Sequence, residues 1–354
     1  MKTILIAAFI GLFIYQAENL PINKQAVPII LANTPDDSVF IGPQLPCYYN
    51  RSISEYVRRV FQDSKGNLWF GTNSDGVALY DGKQLSYMGG SNGLRGSQIT
   101  GIIEDRKGNT WFATNDGITR YTQPGKTDSD EKNYLHFGES EGLSHSSTWS
   151  IFEDSKGTIW AGTFSGLCRL NGNRFEHVAI PGAKGSWIRC IAEDRQGNLW
   201  FGTADKGAFK FDGTTFRQFS QKDGLCSDDI TCILADTKGI LWFGSMDGGL
   251  SQYNGSVFTN LTAEKEIGNN EVWTIYEDKN GAIWFSSEGF GVYCYHNGKL
   301  TNFSKNQGFN MKAVQAIYQD REGRLWFGGG SGLYVSNGGI FTPVTREGPW
   351  EAGC

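Results

Sequence analysis

A closed ring of seven four-stranded antiparallel blades, an all-β propeller, is the fold this sequence predicts, and three observations predict it. Seven times an aspartate is followed three residues later by glycine and three after that by tryptophan. The units are Asp63-Gly66-Trp69, Asp105-Gly108-Trp111, Asp154-Gly157-Trp160, Asp194-Gly197-Trp200, Asp236-Gly239-Trp242, Asp278-Gly281-Trp284 and Asp320-Gly323-Trp326. The tryptophans stand 42, 49, 40, 42, 42 and 42 residues apart, a period at which one supersecondary unit stacks on the next to bury a shared core. Nine positions before each tryptophan stands Val60, Ile102, Ile151, Ile191, Ile233, Ile275 or Ile317, an apolar β-branched residue every time.

Residues 57 to 98 serve as the type unit. Val57 to Gln62 is an apolar, partly β-branched run and Asp63 to Asn67 a turn; Leu68 to Thr72 carries the tryptophan, and Val77 to Tyr80 and Gln84 to Met88 complete four short strands. In the turn, the Asp carboxylate can accept hydrogen bonds from its own turn backbone, and the Gly supplies a positive φ that a side chain would oppose. Asp81-Gly82, Asn171-Gly172, Asp212-Gly213, Asn254-Gly255, Asn297-Gly298 and Asn337-Gly338 then predict two-residue hairpin turns between the third and fourth strands. The second unit lacks this turn because Thr122 to Asn133, a polar stretch, is inserted there as a solvated loop.

A blade that is apolar on both faces must be covered on both, and radial stacking does so while leaving only short edges. Residues 57–346 therefore read as one propeller, although length alone allows two domains. Met1-Lys2-Thr3 followed by the apolar run Ile4 to Tyr15 and the small Ala17 predicts a signal peptide over 1–17. Twelve apolar residues are too few to span a bilayer comfortably, so no membrane span is expected in the mature chain, which would be periplasmic or secreted. Residues 18–56 read as an irregular linker in which Val39 to Ile41 can add an edge strand, and 347–354 as a tail. The formal net charge of -5, with both signs mixed along the chain, lacks the basic footprint of a nucleic-acid binder.

The seven cysteines, Cys47, Cys168, Cys190, Cys226, Cys232, Cys294 and Cys354, form no spacing for metal or redox chemistry. Cys190 and Cys232 occupy one first-strand position whose equivalents are Arg59, Gly101, Ser150, Thr274 and Ala316. Small packed thiols and few or no disulfides are expected there. No cofactor and no metal are implied.

The candidate site comes from geometry. In such a blade the turns between strands two and three share a face with the links between blades, and that face surrounds the mouth of the central channel, a concave place for a ligand. Eleven residues before each tryptophan stand Arg58, Thr100, Trp149, Arg189, Thr231, Trp273 and Gln315, where polar and aromatic residues replace a uniform choice. The arginines can offer forked donors to carboxylate, sulfate or hydroxyl groups, and the tryptophans flat faces to a sugar ring or a cation. The bland alternative is a lining for a water-filled channel. Asn73, Asp75, Asn115, Asp116, Phe164, Asp205, Lys206, Asp247, Glu288 and Phe290 lie on the same face and read chiefly as turn formers. Trp187, two residues before Arg189, is either a lip over the channel or a staple on a short link. His145, beside Glu139 and Glu141, is the histidine nearest the mouth, and a structural or exposed role is expected for it.

The pattern Glu-Asp-x-x-Gly-x-Leu-Trp-Phe-Gly-Thr to Gly-Leu and Tyr-Asp-Gly, met as Glu104-Asp105, Leu199 to Thr203, Gly166-Leu167 and Tyr80-Asp81-Gly82, resembles the two-component regulator propeller repeat across all seven units. The resemblance implies the periplasmic ligand-sensing region of hybrid histidine kinases, with carbohydrates as ligand class and a membrane sensor or another protein as partner. No kinase motif or response-regulator segment accompanies the repeats, so the resemblance does not carry over signalling. Sialidase-type propellers, by comparison, need six blades and an arginine cluster. Streptogramin-lyase propellers share the strand pattern and the blade number but use a His and Glu constellation with a divalent metal, whereas His136, His145, His177 and His296 are scattered. Three readings follow: capture of a small molecule or oligosaccharide at the mouth; a lyase or glycoside hydrolase using Glu139, Glu141, Glu288 or His145; or a protein-binding scaffold.

Overall fold

Seven four-stranded antiparallel sheets, each built from four strands consecutive in sequence, run from Val57 to Val344. The computed structural model describes residues 52–122, 133–262, 271–303, 313–337 and 339–350, with 267, 309 and 311. The expected signal peptide, Val39 to Ile41, Cys47, Cys354 and most of the inserted loop lie outside the described residues. The first strands are Val57–Gln62, Ile99–Glu104, Thr148–Glu153, Ile188–Glu193, Ile230–Ala235, Ile275–Glu277 and Ala313–Gln319.

The repeated aspartate does more than cap its turn. One oxygen of Asp63 accepts from the amides of Lys65 and Asn67, and the other accepts from the indole Nε1 of Trp69 at 2.9 Å. The same Asp–indole bond recurs in all seven blades at 2.7 to 2.9 Å. A buried carboxylate and a buried indole N–H each need a partner, and each supplies the other's. The turn glycine holds a positive φ throughout, 93° at Gly66 and 88° at Gly323.

Each tryptophan packs into the seam with the following blade. Trp69 clusters with Ile99, Ile102 and Phe112 of the second blade, and Trp326 of the seventh with Val60, Leu68 and Phe70 of the first. The Trp326–Phe70 ring centroids lie 5.7 Å apart and those of Trp69–Phe112 5.5 Å, so the closing seam is built like an interior one. Among the described residues no strand is exchanged at closure. Instead Ser52 bridges to Thr345, Tyr56 to Gly330 and Gly332, and Trp350 stacks on Tyr80 at 4.3 Å. Sequence reasoning assigned Ser52 to Tyr56 to a linker and Trp350 to a tail; long-range pairing, which local pattern does not report, draws both against the ring.

On the turn-bearing face a further bond joins neighbouring blades. In six of the seven blades the residue before the repeat aspartate accepts from the turn amide of the preceding blade: Ser64 to Glu104, Arg106 to Glu153, Ser155 to Glu193, Thr237 to Glu277, Lys279 to Gln319 and, at closure, Arg321 to Gln62, at 2.6 to 3.1 Å. At the joint between blades four and five the corresponding residue is Ala235, which has no such acceptor.

The outer hairpins differ from expectation. Tyr80 pairs with Leu85, Phe211 with Phe216 and Tyr253 with Phe258, which leaves four-residue loops. In these, Asp81, Asp212 and Asn254 accept two backbone N–H groups each. Asn297-Gly298, with φ of 50° and 79°, is the two-residue turn that the dipeptide predicts. Cys168, Cys190, Cys226, Cys232 and Cys294 are free thiols. Cys190 and Cys232 lie over Gly202 and Gly244, where an added Cβ would come within 2.4 and 2.5 Å of the sulfurs.

Candidate ligand-binding site at the channel mouth

A β-bulge sets the candidate ring. The ladder between first and second strands slips between Val57 and Arg59, Ile99 and Gly101, Thr148 and Ser150, Ile188 and Cys190, Ile230 and Cys232, and Val314 and Ala316. The residues left over are Arg58, Thr100, Trp149, Arg189, Thr231 and Gln315. An unpaired bulge residue re-aims its side chain, here toward the axis. In blade six the ladder begins at Ile275, and Trp273 is fastened just ahead of it by its amide to Ser286 Oγ at 3.2 Å.

The seven residues divide in use. Thr100 Oγ1 donates to the carbonyl of Thr148 at 2.6 Å and Thr231 Oγ1 to that of Val272, so both hydroxyls tie one blade to the next. Arg58, Trp149, Arg189, Trp273 and Gln315, with Thr231 and Arg59, close to a neck whose free volume is about 10 Å3, room for about one water. A second cavity of about 250 Å3 is walled by the ring members other than Arg58 and by the two residues that follow each of the seven. The ring is thus a constriction, tighter than the open concavity the sequence suggested.

Cations and indoles interleave in the neck. The Arg58 guanidinium lies 5.4 Å from the Trp149 ring centroid and 6.0 Å from that of Tyr56, and Arg189 lies 4.3 Å from Trp187 and 5.8 Å from Trp273. Arg58 donates to Asn73 Oδ1 at 2.9 Å; its Nε, the Nε of Arg189, Trp187 Nε1 and Gln315 Oε1 are buried polar atoms with no hydrogen-bond partner among the described residues. Arg59, which sequence reasoning treated only as an exception to a row of small residues, donates to the carbonyls of Thr100, Arg58 and Gln315 and so joins blades two, one and seven. Burial and neighbouring Arg58 bring its pKa down to about 10.

A second ring, of which sequence reasoning singled out Trp187 alone, stands two residues before the first. Tyr56, Gln98, Ser147, Trp187, Asp229 and Glu271 each accept, through the backbone carbonyl, the amide of a residue in the next turn: Asn73, Asn115, Phe164, Ala204, Met246 and Glu288. The bulge breaks the two-residue alternation that would have flagged these positions. Asp229 pairs with Arg189 at 3.1 Å, yet burial outweighs the arginine and, with Asp247, Asp205 and Glu271 adding to it, pushes Asp229 up to about 6. Trp273 Nε1 donates to Glu271 at 2.7 Å and Glu288 at 3.1 Å; burial and then Glu271 raise Glu288. Trp187 packs on Trp149 at 4.4 Å and on Phe164 at 5.1 Å, so it buttresses a neck residue from the rim.

The proposed acids and bases are mostly engaged elsewhere. Glu139 accepts from the Ser146 amide, Glu141 from that of Gly138 and His145 Nδ1 from that of Ser147, each holding a loop. Asn115 likewise caps the amides of Ser97 and Gln98. Among the described residues no group of three or more His, Cys, Asp or Glu is arranged to hold a metal ion, and no helix is long and apolar enough to cross a membrane.

Fold and neck together define a seven-bladed propeller with a lined axial mouth. The chain belongs to the two component regulator propeller family, whose profile matches residues 52–74, 93–116, 142–165, 182–205, 224–247, 266–289 and 308–331, one match at each blade. Similar folds include the extracellular domains of the "putative hybrid two component system BT3049" and the "putative one component system BT4673", both from B. thetaiotaomicron. The first is 20% identical with a TM-score of 0.66, over 79% of this chain and 40% of that one. The second is 20% identical with a TM-score of 0.56, over 82% and 47%. The chain thus spans less than half the length of either. Virginiamycin B lyase from Staphylococcus aureus is 15% identical with a TM-score of 0.61, over 81% of this chain and 96% of the lyase. These likenesses are of fold alone. No curated protein matches the chain.

Proposed function

We propose that this propeller is an exported, sensor-type module that captures a small molecule or oligosaccharide at its channel mouth, with a membrane sensor or another protein as its partner. One observation carries the reading: residues lining the neck hold two buried donors and one buried acceptor, Arg58 Nε, Arg189 Nε and Gln315 Oε1, that lack partners among the described residues, beside Trp149 and Trp273. Buried polar groups without partners are costly, and a hydroxylated ligand can satisfy donors and acceptors at once while its ring stacks on indole. Extracellular sensor domains of the same fold and the apolar amino-terminal run support export. That Glu139, Glu141 and His145 hold loops weighs against the hydrolytic reading.

A glycan-array screen on the purified protein, followed by calorimetry on each hit, tests the proposal. Trp149→Ala and Trp273→Ala should each weaken binding of the hit by tenfold or more with the fold retained. Unchanged affinity in both variants would remove the mouth as the site.

A further inference from the structure

The capture reading leaves the ligand's chemistry open, and the blade-one side of the neck narrows it. Arg58 and Arg59 bound the same constriction of about 10 Å3. Neither pairs with a carboxylate among the described residues: Arg58 donates to the side-chain oxygen of Asn73, and Arg59 to the main-chain carbonyls of Thr100, Arg58 and Gln315. Neutral acceptors spread a positive charge without cancelling it, so two adjacent guanidiniums, that of Arg58 in a residue only 7% exposed, stay uncompensated among those residues. Arg189 differs, because Asp229 pairs with it at 3.1 Å and Glu271 adds a second negative charge to its surroundings. Burial lowers the pKa of Arg58, and burial with Arg58 beside it lowers that of Arg59, a repulsion that an anion at the neck would relieve.

A second, independent feature leads to the same place. Phe164, 49% exposed, lies 5.1 Å from Trp187, Trp187 lies 4.4 Å from Trp149, and the Trp149 ring lies 5.4 Å from the Arg58 guanidinium. A series of aromatic rings thus runs from solvent to Arg58. The neck itself has room for about one water, which admits the tip of an oxyanion and excludes a ring.

Resting on the capture reading, we propose that the ligand is an acid held end-on, its oxyanion, a carboxylate or a sulfo group, at the neck against Arg58 and Arg59 and the ring that bears it against Trp149 and Trp187. A guanidinium offers such a group paired donors as well as charge. The anionic end, more than the hydroxyl pattern, then decides what is held.

The test compares three probes that share one ring, benzoate, benzenesulfonate and uncharged benzamide, by calorimetry on the full chain at pH 7 and fixed ionic strength. At least one anion should bind tenfold or more tighter than benzamide, and the two anions together show which oxyanion the neck takes. Arg58→Gln should reduce that preference to less than about twofold with the thermal transition retained. Arg217→Gln, the same change in net charge on an exposed outer strand, should preserve it. If Arg58→Gln does not fold, Arg58→Lys, which keeps the charge and gives up the forked donor, should weaken anion binding severalfold, and unchanged affinity would overturn the inference. Benzamide binding as well as both anions, no binding of either anion, survival of the preference in Arg58→Gln, or its equal loss in Arg217→Gln would each overturn it too. In all of these cases capture is judged separately, by the Trp149 and Trp273 variants with the array hit.

Discussion

The two faces of the ring are built from the same seven strands and obey opposite rules. On the turn-bearing face every blade repeats one Asp–Trp bond within 0.2 Å, and six of seven joints repeat one staple between blades. On the mouth face no two adjacent blades present the same pair of rim and neck side chains. The difference shows where stability and recognition have been separated. Buried, reciprocal bonds tolerate only one solution, while a bulge that points side chains at the axis leaves the scaffold indifferent to their identity.

Substitutions on the two faces should therefore differ in kind. The largest effect is expected for Trp242→Ala, which empties a buried seam and should cost about 3 to 5 kcal/mol in denaturant unfolding. Asp236→Ala follows: it strands the Trp242 indole and the amides of Lys238 and Ile240, a loss of about 2 to 3 kcal/mol. Trp273→Ala, at the half-buried mouth, should cost less than half of the Trp242 loss while reducing ligand affinity. An equal loss of stability at both tryptophans would break the contrast.

Two smaller effects sharpen it. Asp229 is held above its usual range, so the folded chain binds its proton more tightly than the unfolded chain. Its contribution to stability is therefore favourable at low pH and is lost as pH rises from about 4 to about 6. Relative to Asp229→Asn, the wild type should be more stable at pH 5 than at pH 7 in thermal scans; no change in that difference would refute the assignment. Smallest of all, Ala235→Glu should supply the missing acceptor for the Arg195 amide at the blade four to five joint and raise stability by about 0.5 to 1 kcal/mol. A destabilised variant would show that this joint is closed differently from the others.

Much of this was legible before any coordinates. The seven Asp-x-x-Gly-x-x-Trp units gave the blade number, the strands of the type unit to within one residue and the packing of Trp, and the position eleven residues before each Trp holds six of the seven residues that line the neck. The indole bond was not legible, because a turn aspartate explains itself through backbone alone. Tyr56, Asp229 and Glu271 escaped because the bulge shifts phase between them and the strand. Arg59 escaped because a cation among small residues looks like drift until three carbonyls are found around it.

What the linear chain determined by itself is the repeat, since burial of a large aromatic in every seam leaves its spacing written at regular intervals. Which carboxylates meet, which threonines are consumed between blades and how narrow the neck becomes were decided only in three dimensions. Those depend on residues some 15 to 260 positions apart brought together by ring closure and backbone pairing, as in Glu271 with Glu288 and Gln62 with Arg321. Periodicity reports what each blade does alike; the mouth is made from what each blade does differently.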